Sequence, residues 1–169
     1  IAPISNFVDM RNYYEGRHDL ISSITEETKI FCKKLISYQA QKRDLDLAVE
    51  SYIHRVAQSR NGEGIFAFWL GMLAMAKAQE ISVSLFNDEG ILSLLNPAIR
   101  SIDTGSQNGG QVIFVPDKKD NFSISYTIRG QYLHCIFTHC RNKVYEIIKF
   151  TKAMSNALKA ILLILAEKN

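Results

Sequence analysis

Arg17-His18-Asp19 stands just ahead of the first long apolar pattern in the chain. An imidazole changes charge near neutral pH and can take a phosphoryl group or a proton when a carboxylate orients it. His18 is therefore a candidate phosphoacceptor, with Asp19 as its orienting base and Arg17 as the charge that neutralises incoming phosphate. The plainer reading of the same tripeptide makes Asp19 a helix cap and leaves His18 facing water. A second cluster is LHCIFTHC, Leu133–Cys140, where His134, Cys135, His139 and Cys140 put four potential zinc ligands within seven residues. Zinc takes thiolate and imidazole readily. Neighbouring His-Cys pairs point different ways, however, and no second ligand knuckle follows. Cys135 and Cys140 therefore read as small packed apolar residues, and neither metal nor cofactor is expected.

Basic side chains form the third group. Lys149, Lys152 and Lys159 recur at helical spacing near the C-terminus, and Lys33 and Lys34, with Lys29, do so earlier. Such stripes bind phosphate backbones by counterion release; the plainer reading is a solvated face with Glu–Lys pairs. His54 reads as a histidine on the flank of a helix. The glycine loop TGSQNGG has no lysine and does not lead from strand to helix, so it does not match a phosphate-binding loop. There is no nucleophile elbow and no H-E-x-x-H.

The elements that must position these groups follow from periodicity. From Ile21 to Val56 apolar residues alternate at steps of three and four, interrupted only by Thr28 and Lys42. That seam reads as one helix over residues 20–57, capped by Asp19 or Ser22, or as a helical hairpin turning near Gln39–Asp44. The unbroken phase favours the single helix. Ile65–Glu80 is apolar on almost every side and reads as a buried central helix. Ile81–Phe86 alternates as a half-buried strand does. Glu89–Ile102 reads as a short helix broken at Pro97. Gln111–Val115 and Phe122–Ile128 read as a β-hairpin, and Tyr132–Phe137 as a third strand or a first helical turn. A second long amphipathic helix runs from about Asn142 to Glu167. The expected fold is thus a helix-rich α+β domain, with long amphipathic helices as a bundle, coiled coil or hairpin and a small antiparallel sheet. Residues 1–169 read as one domain, divisible into a helical dimerisation region, 1–60, and an α+β region, 61–169.

Composition narrows the class. The chain has 169 residues, 47% hydrophobic and 22% charged, with net charge +3, which suits one globular domain and only mild affinity for polyanions. Three unframed cysteines suggest a reducing, cytoplasmic setting. The longest apolar run, Ala160–Ala166, is far short of the roughly 20 residues of a membrane span. The chain opens at Ile1 without a leader pattern, as a cut-out domain or processed product would.

RHDLISSI resembles the histidine block of sensor histidine kinases and of sporulation-type phosphotransferases. AFWLGMLAMAKAQEISVSLF (Ala67–Phe86) is similar to their linker into an ATPase-like domain, and Ser93–Gly130 resembles a decayed asparagine-box helix, loop and hairpin. The resemblance implies a dimeric four-helix bundle presenting His18. Departures accompany it: Ser22 or Ser23 replaces the block's asparagine, Pro97 falls at the magnesium-binding asparagine, and Ile128 falls at the adenine-binding aspartate. No ATP binding is expected. The functional expectation is a homodimeric, protein-binding module of phosphotransfer or non-catalytic type; the alternative is a basic dimeric scaffold for nucleic acid or an acidic protein.

Overall fold

The computed structural model describes residues 4–9, 18–104, 113, 115, 116, 121–139 and 144–166. Five strands form one mixed sheet: β1 (Ile4–Asp9), β2 (His18–Ser22), β3 (Ile99–Asp103), β4 (Phe122–Arg129) and β5 (Tyr132–His139). Their spatial order is β2-β1-β3-β4-β5. β1 pairs with β3, and β3 with β4, in parallel; both outer pairs, β1–β2 and β4–β5, are antiparallel. The sheet thus takes two strands from the first 60 residues and three from the remainder. A large mixed sheet replaces the expected small antiparallel one.

β4 alternates apolar and polar residues, as Ser123, Ile124, Ser125 and Tyr126 show. Gly130, at φ 58°, turns the chain between them. The hairpin is therefore β4–β5, with Tyr132–His139 a full strand. The expected partner strand at Gln111–Val115 falls largely outside the described residues; Ile113 and Val115 are in no strand.

The seam does not form one helix. β2 occupies its start, where Leu20 and Ile21 are buried against β1. Helix α1 (Glu26–Ile36) and helix α2 (Lys42–Gln58) follow as a hairpin. Thr25, not Asp19 or Ser22, caps α1. Its Oγ1 accepts from the Thr28 N–H at 3.0 Å, and Thr28 Oγ1 accepts from the Thr25 N–H at 2.6 Å, a reciprocal capping box. α1 ends in a Schellman turn: Gln39 N–H donates to Lys34 O at 2.8 Å while Tyr38 takes φ 57°. Asp44 then accepts from the Gln41 N–H at 3.0 Å, starting α2. Folding back buries Phe31 and Ala48 together with Ile164 of the last helix, α5 (Val144–Ala166). Its own chain covers this part of the seam, and no coiled coil forms among the described residues.

α2 and α5 lie on one face of the sheet. Register places Ile21, Asn6, Ser101, Ile124 and Phe137 in one row across the strands, and opposed residues share a face. Asn6 Nδ2 donates to Tyr52 Oη on α2. Phe150 of α5 stacks on Phe122 at 5.3 Å and meets Phe137 edge-on at 5.7 Å.

After α2 a π-helical turn, Ser59–Glu63, carries Gly62 at φ 82°. Helix α3 (Ile65–Ala78) follows and packs on β2. It is not buried as expected: Phe68 is 62% exposed and Met75 63%. Uniform apolarity supplies no preferred face, so the helix touches the sheet along one side only. Ile81–Phe86 is not a strand; it leads into a 3-10 turn, Ser84–Asn87. Helix α4 (Glu89–Leu95) is capped by Asp88, whose Oδ1 accepts from the N–H groups of Gly90 and Ile91. The chain leaves that helix before Pro97, and Ile99–Ile102, expected as helix, belongs to β3.

Candidate functional site

The edge strand β2, the end of α2, the π turn and α3 enclose a cavity of about 420 Å³. That lies within the range of small-molecule pockets, roughly 300–1,000 Å³. Ser5 of β1 and Asp19, Leu20, Ile21 and Ser22 of β2 line it from the sheet edge. Arg55, Gln58 and Ser59 line it from α2 and the turn after it, and Glu63, Gly64, Ile65, Phe66 and Trp69 from the end of that turn and the start of α3.

Asp19 is the most constrained group in it. The side chain is 3% exposed. Ser59 Oγ donates to Asp19 Oδ2 at 2.7 Å, and the Leu20 N–H donates to Asp19 Oδ1 at 2.9 Å. Gly64 passes so close that a Cβ there would collide with Asp19 Oδ2. A glycine is needed here for space, not for a left-handed backbone; its φ is −68°. Arg55 reaches from α2, and its Nη1 donates to the carbonyls of Ser22 and Ile24, each at 3.4 Å. Those oxygens hold the guanidinium without cancelling its charge. Phe66 and Trp69 are half-buried and lie on successive turns of α3, while Glu63 is exposed at the mouth.

The residues singled out from sequence are dispersed. His18 opens β2, where its backbone pairs with Asp9; its side chain and all of Arg17 lie outside the described parts. Asp19 is in the cavity as a buried hydrogen-bonded carboxylate and is no helix cap. His54 is exposed on α2.

The zinc cluster is pulled apart because Leu133–His139 is a strand and not a helix. Successive side chains alternate faces, separating His134 from Cys135, and Cys135 stands about 13 Å along the strand from His139. His139 packs on Phe122 at 4.6 Å between ring centroids, Cys140 is outside the described residues, and no cluster able to hold a metal occurs among the described residues. Burial pushes the Cys135 thiol, like that of Cys32, above its ordinary range.

The lysines are divided between roles. Lys34 bonds Asp44 at 2.5 Å, Lys29 bonds Glu26 at 2.5 Å and Lys42 bonds Asp46 at 2.7 Å. The α1–α2 basic group is thereby partly neutralised; Lys33 stays exposed, as do Lys149, Lys152 and Lys159 on α5. Sequence reading missed Arg55, Ser59, Glu63, Phe66 and Trp69. Their signal was the NGEG turn at Asn61–Gly64, with polar residues before it and the single tryptophan just after.

Helices on a mixed five-stranded sheet, with a ligand-sized cavity at its edge, make this an α/β domain. The choline/carnitine O-acyltransferase family matches residues 1–156 of the 169, and the chain belongs to that family. No curated protein matches it significantly. Membership overturns the likeness to histidine kinases and phosphotransferases, and with it the phosphotransfer, pseudo-kinase and non-catalytic dimeric-module readings. The basic-scaffold alternative falls with them. The physical error lay at HDLIS: His18–Ser22 form an edge strand, not the head of a dimerising helix.

Proposed function

We propose that this chain supplies the alcohol-binding side of an O-acyltransferase, with the cavity beneath β2 holding a small quaternary-ammonium alcohol. Choline and carnitine, the alcohols in the family's description, both carry a trimethylammonium group. That group donates no hydrogen bond, so aromatic faces and nearby carboxylates recognise it. The carrying observation is that Phe66, Trp69, Glu63 and Asp19 line one cavity. In the reaction the alcohol oxygen bonds to the carbonyl carbon of an activated acyl donor, such as a thioester. The bond from that carbon to the leaving thiolate breaks, and the hydroxyl proton passes through a base to the thiolate.

Arg55 is the only cationic side chain among the described lining residues. It favours carnitine, whose carboxylate choline lacks, as the better occupant. Trp69 is the only tryptophan of the chain, so its fluorescence reports the cavity directly. Choline and carnitine are expected to quench or shift that emission saturably, carnitine at lower concentration. Asp19→Asn is expected to raise both dissociation constants at least tenfold. Absence of a saturable response, with no heat of binding in calorimetry, would end the reading. Transfer itself is tested by incubating the chain with an acyl thioester and each alcohol and looking for the ester by mass spectrometry.

A further inference from the structure

The outer face of α5 is unlike that of an ordinary surface helix. Its inner side is spent on the core through Phe150, Ile161 and Ile164. The opposite side still carries large apolar groups: Tyr145 is 78% exposed, Leu162 63% and Leu163 69%, with Val144 and Ile148 alongside. At 3.6 residues a turn, Lys152 and Lys159 fall within the same arc of about 100° as these, and Lys149 flanks it about 40° further round. Glu146 is the only acidic residue of the helix.

We propose that this face docks α5 on an anionic lipid surface, lying along the headgroups without crossing them. No described helix is long and apolar enough to span a membrane. Two features favour lipid over other occupants. Lysines lie within the apolar face, whereas protein interfaces deplete charge at their centres; on a bilayer the long lysine stems lie along the apolar boundary and lift the ammonium to the headgroup phosphates. Leu162 and Leu163 gain from burial among acyl chains, whereas a nucleic-acid backbone offers them no apolar surroundings. The proposal is independent of the cavity.

The test is co-sedimentation of the full chain with phosphatidylcholine vesicles with and without about a third phosphatidylserine, and a parallel titration with duplex DNA. Binding is expected only to the anionic vesicles and should weaken as salt rises. Lys152→Glu with Lys159→Glu should reduce it at least tenfold, and so should Leu162→Ser with Leu163→Ser. All four positions are exposed, and retained carnitine or choline response, or an unchanged thermal melt, shows that each variant is folded. Failure to bind anionic vesicles overturns the proposal. So does vesicle binding that these variants leave unchanged, or DNA binding lost in the lysine variant but not in the leucine variant.

Discussion

Ser59 and Asp19, 40 residues apart in sequence, are joined by a 2.7 Å hydrogen bond from Ser59 Oγ to Asp19 Oδ2. It ties the π turn to the edge strand within the cavity lining. Both side chains are almost completely buried. Ser59→Ala leaves the carboxylate oxygen short of a donor and is expected to cost about 1–3 kcal/mol. Urea unfolding with an unchanged slope and a lower midpoint checks it.

Gly64→Ala approaches the same carboxylate from the other side. The new methyl group meets Asp19 Oδ2, so the turn or the strand must move, at a cost of about 1–3 kcal/mol. Because the two substitutions act on one group, their effects should not add. Simple additivity in the double variant would contradict the shared contact.

The small core offers a sharper loss. Phe31, 4% exposed, packs with Ala48 and Ile164 and joins the α1–α2 hairpin to α5. Phe31→Ala is expected to cost about 3–5 kcal/mol. A loss below about 1 kcal/mol in denaturant would show that the hairpin does not close on α5.

Tyr38 is the opposite case. It is 98% exposed and sits at φ 57°, a conformation that L-residues adopt at a penalty. Tyr38→Gly is expected to stabilise the chain by about 0.5–1 kcal/mol, the relief of strain exceeding glycine's extra unfolded entropy. Its melting temperature should rise.

Acid stability gives a further check. The Lys34 ammonium, hydrogen-bonded to Asp44, and then the Gln41 N–H hold the Asp44 carboxyl below its ordinary value of 3.8. The folded value is the lower one, so the contribution is present above pH 3.8 and is lost as pH falls through the depressed folded value. Asp44→Asn should be less stable than the parent at neutral pH. The gap should close as the pH drops below 3.8; a gap constant across that range would rule the linkage out.

Local order was legible where neighbours in sequence decide it. The last helix was visible in its periodicity, and Phe122–Ile128 in its alternation. Thr28 and Lys42, the two polar interruptions in the seam, mark the first turns of α1 and α2. They are the signal that one continuous helix would have lacked. The gap from Ile36 to Lys42 preserved the apolar phase and so concealed the turn.

What the sequence by itself determined were the alternation of Phe122–Ile128, the amphipathic strip of α5 and the turn around Gly62 and Gly64. The Thr25 cap and the turn at Gly130 are equally local, but the pattern pointed to a cap at Asp19 or Ser22 and to a hairpin turn ahead of Phe122. The tertiary structure alone decided that Ile4–Asp9 and His18–Ser22 are strands, since β1 needs β3, some 95 residues on, to complete its hydrogen bonds. It alone left α3 at the surface and brought Ser5, Asp19, Arg55 and Trp69 around one cavity. Caps and alternation are contests between adjacent residues, whereas strand pairing and cavity walls depend on contacts whose partners no local pattern names.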